Sequence, residues 1–411
     1  MSNLALISQK FGAKVWGHDR AWREGENYPF SITKEFDEDR ARISDLIVYT
    51  SAIPQNSPEM EFVKKLNIPT LSRAEFLGEI SKNFKTTIAI SGSHGKTTVT
   101  AMVGNILSAL NLSPAVHLGG NYPITDFRED YFVTEACEYK DSFLSLHPDV
   151  AVVLNVEYDH PDYFKQKSDL VASFCKFIKG IRKGGILISN GCVGGDTKEL
   201  QINRDILCES MVEENGYYSF IPVLYGKRLD RITLSIPGKH NVQNALFALL
   251  VAHALKLPLS HACATLSSFH GVDRRYQKIR APFGEFTLDY AHHPTEIKCA
   301  IDTAKCAKKP IVVYFQPHTY SRTKALFDDF VSALKEGDKV VIIEEFSARE
   351  LPSDGKRAKD IYEALLDSTK TIYLQKDEVY SYFTKEDFSN NTVLVLGAGD
   401  VNRLVCDSIL L

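Results

Sequence analysis

This sequence predicts an α/β protein divided into three regions, 1–80, 81–272 and 273–411. Three observations point there. At 411 residues the chain is long enough to bury two or three separate cores. A glycine loop at residues 92–98 lies between a β-branched run and a helical pattern. Short apolar runs recur along the chain and end in polar residues, as strands do when the carboxyl edge of an open sheet carries the ligands.

Composition narrows the function classes. A formal net charge of −4 leaves no basic excess to displace counterions, which argues against a broad nucleic-acid surface. No apolar run approaches the ~20 residues of a membrane span, and the first residues lack a signal-peptide core. The eight cysteines are scattered without a CxxC pair, so neither a zinc knuckle nor a disulfide framework is indicated. A reduced, cytoplasmic protein is expected.

The glycine loop organises the rest. Thr86-Thr-Ile-Ala-Ile90 reads as a strand and 97–110 as a helix. Between them, Gly92-Ser93-His94-Gly95-Lys96-Thr97-Thr98 delivers a lysine and a threonine to a helix start. Glycines let backbone N–H groups close on an anion, and the helix N-terminus adds free donors. Lys96 would neutralise phosphate oxygens, and the Thr97 hydroxyl would ligate Mg²⁺. The general P-loop pattern asks for a glycine at position 90, which is Ile90, so the match is to a shorter variant.

In order along the chain, the first region reads as helix 4–11, a strand at 14–17 ending in His18-Asp19, a strand at 46–49 and a helix at 72–80. Asp19 suits a ribose or a solvated turn equally well. A nucleotide-binding α/β unit normally opens on a strand and a glycine turn, whereas a helix comes first here.

In the second region, strands at 131–134 and 150–154 run into Glu135-Ala-Cys-Glu138 and Asn155-Val-Glu-Tyr-Asp159-His160-Pro-Asp162. Carboxylates beside a phosphate loop are natural Mg²⁺ ligands. A strand at 231–236 leads to Asn241 and Asn244 ahead of a helix at 245–255. Two amides three apart share a helix face and could read an adenine edge, while a helix cap would explain one of them. Arg274 and Arg275 mark the next junction, as linker surface or as nucleotide contacts.

The third region offers strands at 286–290, 310–315, 339–343 and 392–396, a doubly wound sheet with its functional edge at one end. His292-His293-Pro294 leaves the first of these, and His318-Thr-Tyr-Ser-Arg322 follows the second. Together they suggest a polar site.

These motifs resemble the Mur ligase family, the ATP-dependent amide ligases of peptidoglycan precursor synthesis. The resemblance covers about residues 1–405. It is carried by the loop 92–98, Glu135-Ala-Cys-Glu-Tyr139, Asp159-His-Pro-Asp162, Gly238-Lys-His-Asn-Val-Gln-Asn244, Gly271-Val-Asp-Arg-Arg275, Tyr290-Ala-His-His-Pro-Thr-Glu296 and Phe315-Gln-Pro-His-Thr-Tyr-Ser-Arg-Thr323. The last two point to the alanine-adding branch. The resemblance implies a Rossmann-like N-terminal domain that binds the UDP-sugar, a central P-loop-type ATPase domain and a C-terminal Rossmann-like domain. The family's first strand and its glycine turn would precede Met1. Several sister ligases carry a carbamylated lysine where this chain has Ser173-Phe174.

The resemblance also implies roles. Lys96 and Thr97 hold ATP phosphates and Mg²⁺, Glu135 and His160 ligate metal, and Asn241, Asn244 and Arg275 bind the nucleotide. His292, His293 and Arg322 serve the amino-acid pocket or the reacting phosphate, and Ser51 and Ala52 the uridine side. The implied reaction joins L-alanine to the lactyl carboxylate of UDP-N-acetylmuramate through an acyl phosphate. A ligase that attaches a peptide in cell-wall recycling, or a non-catalytic ATP-binding relative, stands as the alternative.

Overall fold

Two six-stranded sheets set the architecture. The computed structural model describes residues 1–20, 22, 28–119, 126–194, 197–348 and 350–406. The central sheet runs in the order Lys198–Gln201, Ile186–Ser189, Val150–Val153, Thr86–Ser91, Tyr131–Glu135, Ala115–His117, with every pairing parallel. A parallel sheet needs cover on both faces, and its inner strands Val150–Val153 and Thr86–Ser91 are accordingly buried almost throughout, while the edge strand Lys198–Gln201 is largely polar. Ile88 and Ile90 face the helices Lys96–Ala109, His240–Ala254 and Leu259–Ser267. Ala89 faces the other layer, built from Arg73–Ser81 and Lys167–Lys179. The opening helix, Ser2–Lys10, joins this second layer through Leu4 and Ile7.

The second large sheet has the order Gln277–Ala281, Gly284–Asp289, Thr392–Leu396, Ile311–Phe315, Lys339–Ile343, Lys370–Leu374. Only its first pairing is antiparallel. The four strands expected from sequence are therefore six. Lys370–Leu374 was hidden by its edge position, where partial burial dilutes the apolar run. Gln277–Ala281 alternates half-buried and exposed residues and so reads as polar.

Two further expectations change. Residues 231–236 yield only the two-residue strand Ile232–Thr233, because Ser235 bonds across to Ser267 and the chain leaves its neighbour. The helix expected at 245–255 begins at His240, directly after Gly238, whose φ of +100° turns the chain into it. The small antiparallel sheet built on Ile206–Glu214 and Tyr217–Leu224 was not anticipated.

The first region is thinner. Trp16–His18 pairs in parallel with Ser31–Thr33, and Ile47–Tyr49 with Thr70–Ser72. Each strand is three residues long, and none of their residues is fully buried. Helix Arg73–Ser81 starts on a capping box, the Ser72 hydroxyl accepting from Glu75 N and the Glu75 carboxylate from Ser72 N.

Candidate active site between the two large sheets

The loop 92–95 leaves the Thr86–Ser91 strand and enters helix Lys96–Ala109 through two left-handed glycines, Gly92 at φ +136° and Gly95 at φ +87°. Gly95 has a second reason to lack a side chain. A Cβ there would come within 2.8 Å of the Asn244 amide oxygen. Asn244 donates to Asn241 Oδ1 at 2.9 Å, and Asn241 donates to the Pro237 carbonyl at 2.7 Å. Both amides are buried, and Asn244 leans on the phosphate loop with Asn241 behind it. A capping role alone does not account for them.

Lys96 Nζ reaches both oxygens of Glu138, at 3.0 and 3.1 Å, and the carbonyls of Gly92 and Ser93. Burial opposes its charge, yet the Glu138 carboxylate outweighs that and holds the ammonium above its ordinary range. Arg275 reaches the phosphate loop: its guanidinium donates to Thr97 Oγ1 at 3.1 Å and lies over the Tyr290 ring. Glu135 sits at the exit of the neighbouring strand, and its Oε1 is buried with no hydrogen-bond partner among the described residues.

From the Val150–Val153 strand come Asp159 and His160. His160 takes a left-handed φ of +57° and lays its ring on Tyr139, centroids 4.6 Å apart. Its Nε2 stands 3.7 Å from Glu138 Oε1. Burial pushes its pKa down despite Asp159 and Glu138, so the imidazole is neutral, as a metal ligand must be.

The C-terminal sheet brings Arg322 across to this cluster. Its Nε donates to Asp159 Oδ1 at 2.8 Å, one Nη lies 3.2 Å from His318 Nδ1 and the other 3.5 Å from His160 Nδ1. Burial disfavours the ionised Asp159, but Arg322 holds it well below the usual carboxylate range. Burial, with His292 and Arg322 beside it, pushes His318 down to about 3.

His292 stays half-buried, its Nδ1 3.0 Å from the Tyr290 carbonyl and 3.2 Å from Glu296 Oε2. His293 turns to the domain boundary. Its Nε2 lies 3.3 Å from the Tyr158 carbonyl, while Nδ1 accepts from Thr295 N to cap helix Pro294–Lys305. His94 closes the same boundary, Nε2 on Glu157 and Nδ1 on Glu296, each at 3.1 Å. Burial disfavours the charged ring, yet the two carboxylates prevail and lift its pKa to about 9.

Thus Lys96, Thr97, Arg275, Glu135, His160 and Arg322 converge on one edge. Ser51 and Ala52 lie elsewhere, on the exposed turn after Ile47–Tyr49, where Ala52 N donates to Thr50 Oγ1. Glu157 and Asp159, offered by the sequence only as part of an acidic cluster suited to Mg²⁺, instead meet His94 and Arg322, and Glu296 and His318 carried no role of their own although each stands inside a quoted motif. The signal available was an acid or imidazole at a strand exit, which alone does not distinguish a site residue from a solvated turn.

Three family models match the chain: "Mur ligase family, catalytic domain" at 1–85, "Mur ligase middle domain" at 90–252 and "Mur ligase, glutamate ligase domain" at 274–399. This chain belongs to the Mur ligase family. It is 37% identical to the UDP-N-acetylmuramate–L-alanine ligase of Clostridium acetobutylicum, covering 98% of this Mur ligase and 94% of that one. To its counterpart from Caldicellulosiruptor saccharolyticus it is 36% identical, covering 98% and 95%. Among solved structures, the UDP-N-acetylmuramate–alanine ligase of Thermotoga maritima superposes with a TM-score of 0.81 at 24% identity, covering 98% and 94%. The murein peptide ligase of Psychrobacter arcticus gives 0.73 at 21%, covering 100% and 95%. Among the described residues, no helix is long and apolar enough to cross a membrane.

Proposed function

We propose that this chain uses ATP to join L-alanine to the lactyl carboxylate of UDP-N-acetylmuramate, in the cytoplasm, with domains at 1–80, 81–272 and 273–411. The observation that carries the reading is the convergence of the phosphate loop and the Arg322 cluster on one edge. It is joined to relatives of that printed name along nearly the whole chain.

The residues divide the work by their chemistry. Lys96 would exchange the Glu138 carboxylate for phosphate oxygens, and Arg275 reaches the same helix start. Asn241 and Asn244 would meet the adenine from the face they share, and Ser51 and Ala52 the uridine side. Asp159 fixes the guanidinium of Arg322 by Nε, and the two Nη groups, which face His318 and His160, would carry positive charge to where the acyl group transfers. His292 and His318 would line the amino-acid side, while His293, expected there from the sequence, is buried with both nitrogens engaged and would hold the helix behind them.

Mg²⁺ fits the donor set. The unpartnered Glu135 Oε1 supplies a hard oxygen, the neutral His160 an imidazole nitrogen, and Thr97 a hydroxyl at the loop. Bound there, Mg²⁺ supplies positive charge against the phosphate oxygens.

The test is phosphate release with MgATP and UDP-N-acetylmuramate, with and without L-alanine, glycine, L-serine or a peptide. Release that requires the nucleotide-sugar and L-alanine is expected. Release driven only by the peptide would move the assignment to the recycling branch, and none with any acceptor would remove the enzymatic reading.

A further inference from the structure

We propose that His94 is a positioning residue that couples docking of the C-terminal domain to the geometry of the phosphate loop, by bridging Glu157 and Glu296. The inference rests on the ligase reading above and adds a residue whose ring nitrogens are both taken by carboxylates.

The loop holds His94 firmly. His94 N donates to Asn155 Oδ1 at 2.9 Å, and Asn155 Nδ2 returns a bond to the His94 carbonyl at 3.1 Å. Next to it, Ser93 Oγ donates to the Glu157 carbonyl at 2.8 Å and accepts from Glu157 N at 2.9 Å. These bonds fix the backbone that would cradle the phosphates, and the two carboxylates fix the ring that projects from it.

Across the boundary, Glu296 is equally committed. Its Oε2 accepts from His292 N at 3.1 Å and His293 N at 3.3 Å and lies beside His292 Nδ1. Its Oε1 takes the His94 ring. One carboxylate thus caps the helix behind His292 and touches the phosphate loop. Thr295 Oγ1 donates to Glu157 Oε1 at 2.5 Å, and His293 meets the Tyr158 carbonyl, so the contact is a seam rather than a point.

Charge explains why the bridge is histidine. Glu157 and Glu296 approach the same place from two domains and would repel each other. A ring carrying two N–H donors satisfies both at once, whereas a ring with one N–H turns a lone pair toward one carboxylate. The groups facing His94 are Glu157 from the Val150–Val153 strand exit, and Glu296 and His293 from helix Pro294–Lys305 and its cap, with ring centroids of the two histidines 4.7 Å apart.

The same atoms could instead hold a metal ion, since His94, Glu157 and His293 offer ligand atoms within 4.8 Å of one another. Both nitrogens of His293 are already engaged, by Thr295 N and the Tyr158 carbonyl, which favours the bridge.

The experiment compares His94→Gln, Glu296→Gln and the double variant with wild type. Glu296→Gln keeps an amide oxygen for the helix cap but removes the charge. With MgATP, UDP-N-acetylmuramate and L-alanine, phosphate released per amide formed should be one in wild type. With the C-terminal domain loosened, water replaces the amine: it attacks the acyl carbon, the C–O bond to phosphate breaks, and carboxylate and phosphate leave while the proton goes to solvent. Each variant should then release about two or more phosphates per amide, because the site no longer shields the acyl phosphate from water. The KM for L-alanine should rise about tenfold. The double variant should be no worse than either single, as for two halves of one contact. ADP affinity within about twofold of wild type shows that the loop is folded.

Folded variants with a ratio of one and an unchanged KM would overturn the proposal. So would zinc that copurifies stoichiometrically, persists in Glu296→Gln and is lost in His94→Gln. Small-angle scattering of the MgADP-bound proteins is independent of the acceptor: a larger radius of gyration in both variants is expected, and an unchanged one sinks the bridge. Should wild type ligate no alanine, the functional reading fails while the scattering result still decides the bridge.

Discussion

Among the contacts that tie the C-terminal domain to the phosphate-loop domain, two are built on opposite principles. Arg322–Asp159 is dry, with side chains 5% and 6% exposed, and its cation stays charged at any ordinary pH. The His94 bridge is wetter, its ring 16% and Glu157 42% exposed, and its cation can lose its proton. One contact fixes an orientation permanently, while the other can be made and broken. The difference suggests that Arg322 defines where the reacting groups meet and His94 reports whether the domains have met at all.

Removing the dry contact should do the most damage. Arg322→Ala leaves Asp159 ionised and buried without its partner, a loss of about 3–5 kcal/mol, and strips the charge from the acyl-transfer end. Turnover should fall about 10³-fold. Arg322→Lys should not restore it, because an ammonium cannot hold Asp159 and still face both His318 and His160. Steady-state phosphate release decides this, and an alanine variant within tenfold of wild type would refute the ranking of the two contacts.

The metal requirement separates the contacts next. Glu135→Ala should raise the Mg²⁺ concentration for half-maximal turnover about 10–100-fold. Arg322→Ala should also shift it, since Arg322 borders the His160 ring. His94→Gln should leave it within about twofold, because His94 contacts none of Thr97, Glu135 and His160 in the described hydrogen bonds. If all three move together, the two contacts serve one function and the contrast fails.

How much of this was legible depended on how local each signal was. The loop 92–98 declares itself because glycine, lysine and helix start lie within seven residues, and strands such as Thr86–Ser91 and Val150–Val153 because both faces are apolar, whereas the short buried strands Ala115–His117 and Ile186–Ser189 were not read. The edge strand Lys370–Leu374 and the hairpin Ile206–Glu214 with Tyr217–Leu224 were missed, since partial exposure blurs their patterns. Among site residues, Lys96 and Thr97 could be read directly. Asp159 and Glu296 could not: their meaning comes from Arg322, 163 positions away, and from His94, 202 positions away. Sequence shows that an acid stands at a strand exit, and only the fold shows which cation reaches it.

Proton dependence sharpens the contrast further. The His94 pKa is lifted to about 9 against an unperturbed value near 6.5, so its contribution is complete below about 6.5 and lost as pH rises through about 9. Asp159 is depressed, so its contribution is present above its ordinary carboxylate value and lost only in acid. Wild type should therefore show an alkaline fall in kcat/KM for L-alanine near pH 9, set against the rise that deprotonation of the nucleophilic amine brings. His94→Gln should show only the amine's part. Identical profiles in the two proteins would remove the titrating bridge.

The smallest effect belongs to the far end of the same helix. Lys298 and Lys305 of Pro294–Lys305 both pair with Glu336, Lys298 at 2.7 Å, with the lysines about half exposed. Such pairs compete with water and salt and hold little. Glu336→Gln should leave turnover within about 1.5-fold of wild type and keep one phosphate per amide. This variant removes a carboxylate that anchors the same helix, as Glu296→Gln does, but away from the phosphate loop. If Glu336→Gln also uncouples phosphate release from ligation, then the helix responds to lost charge anywhere along it. If it does not, the response belongs to the one carboxylate that His94 touches.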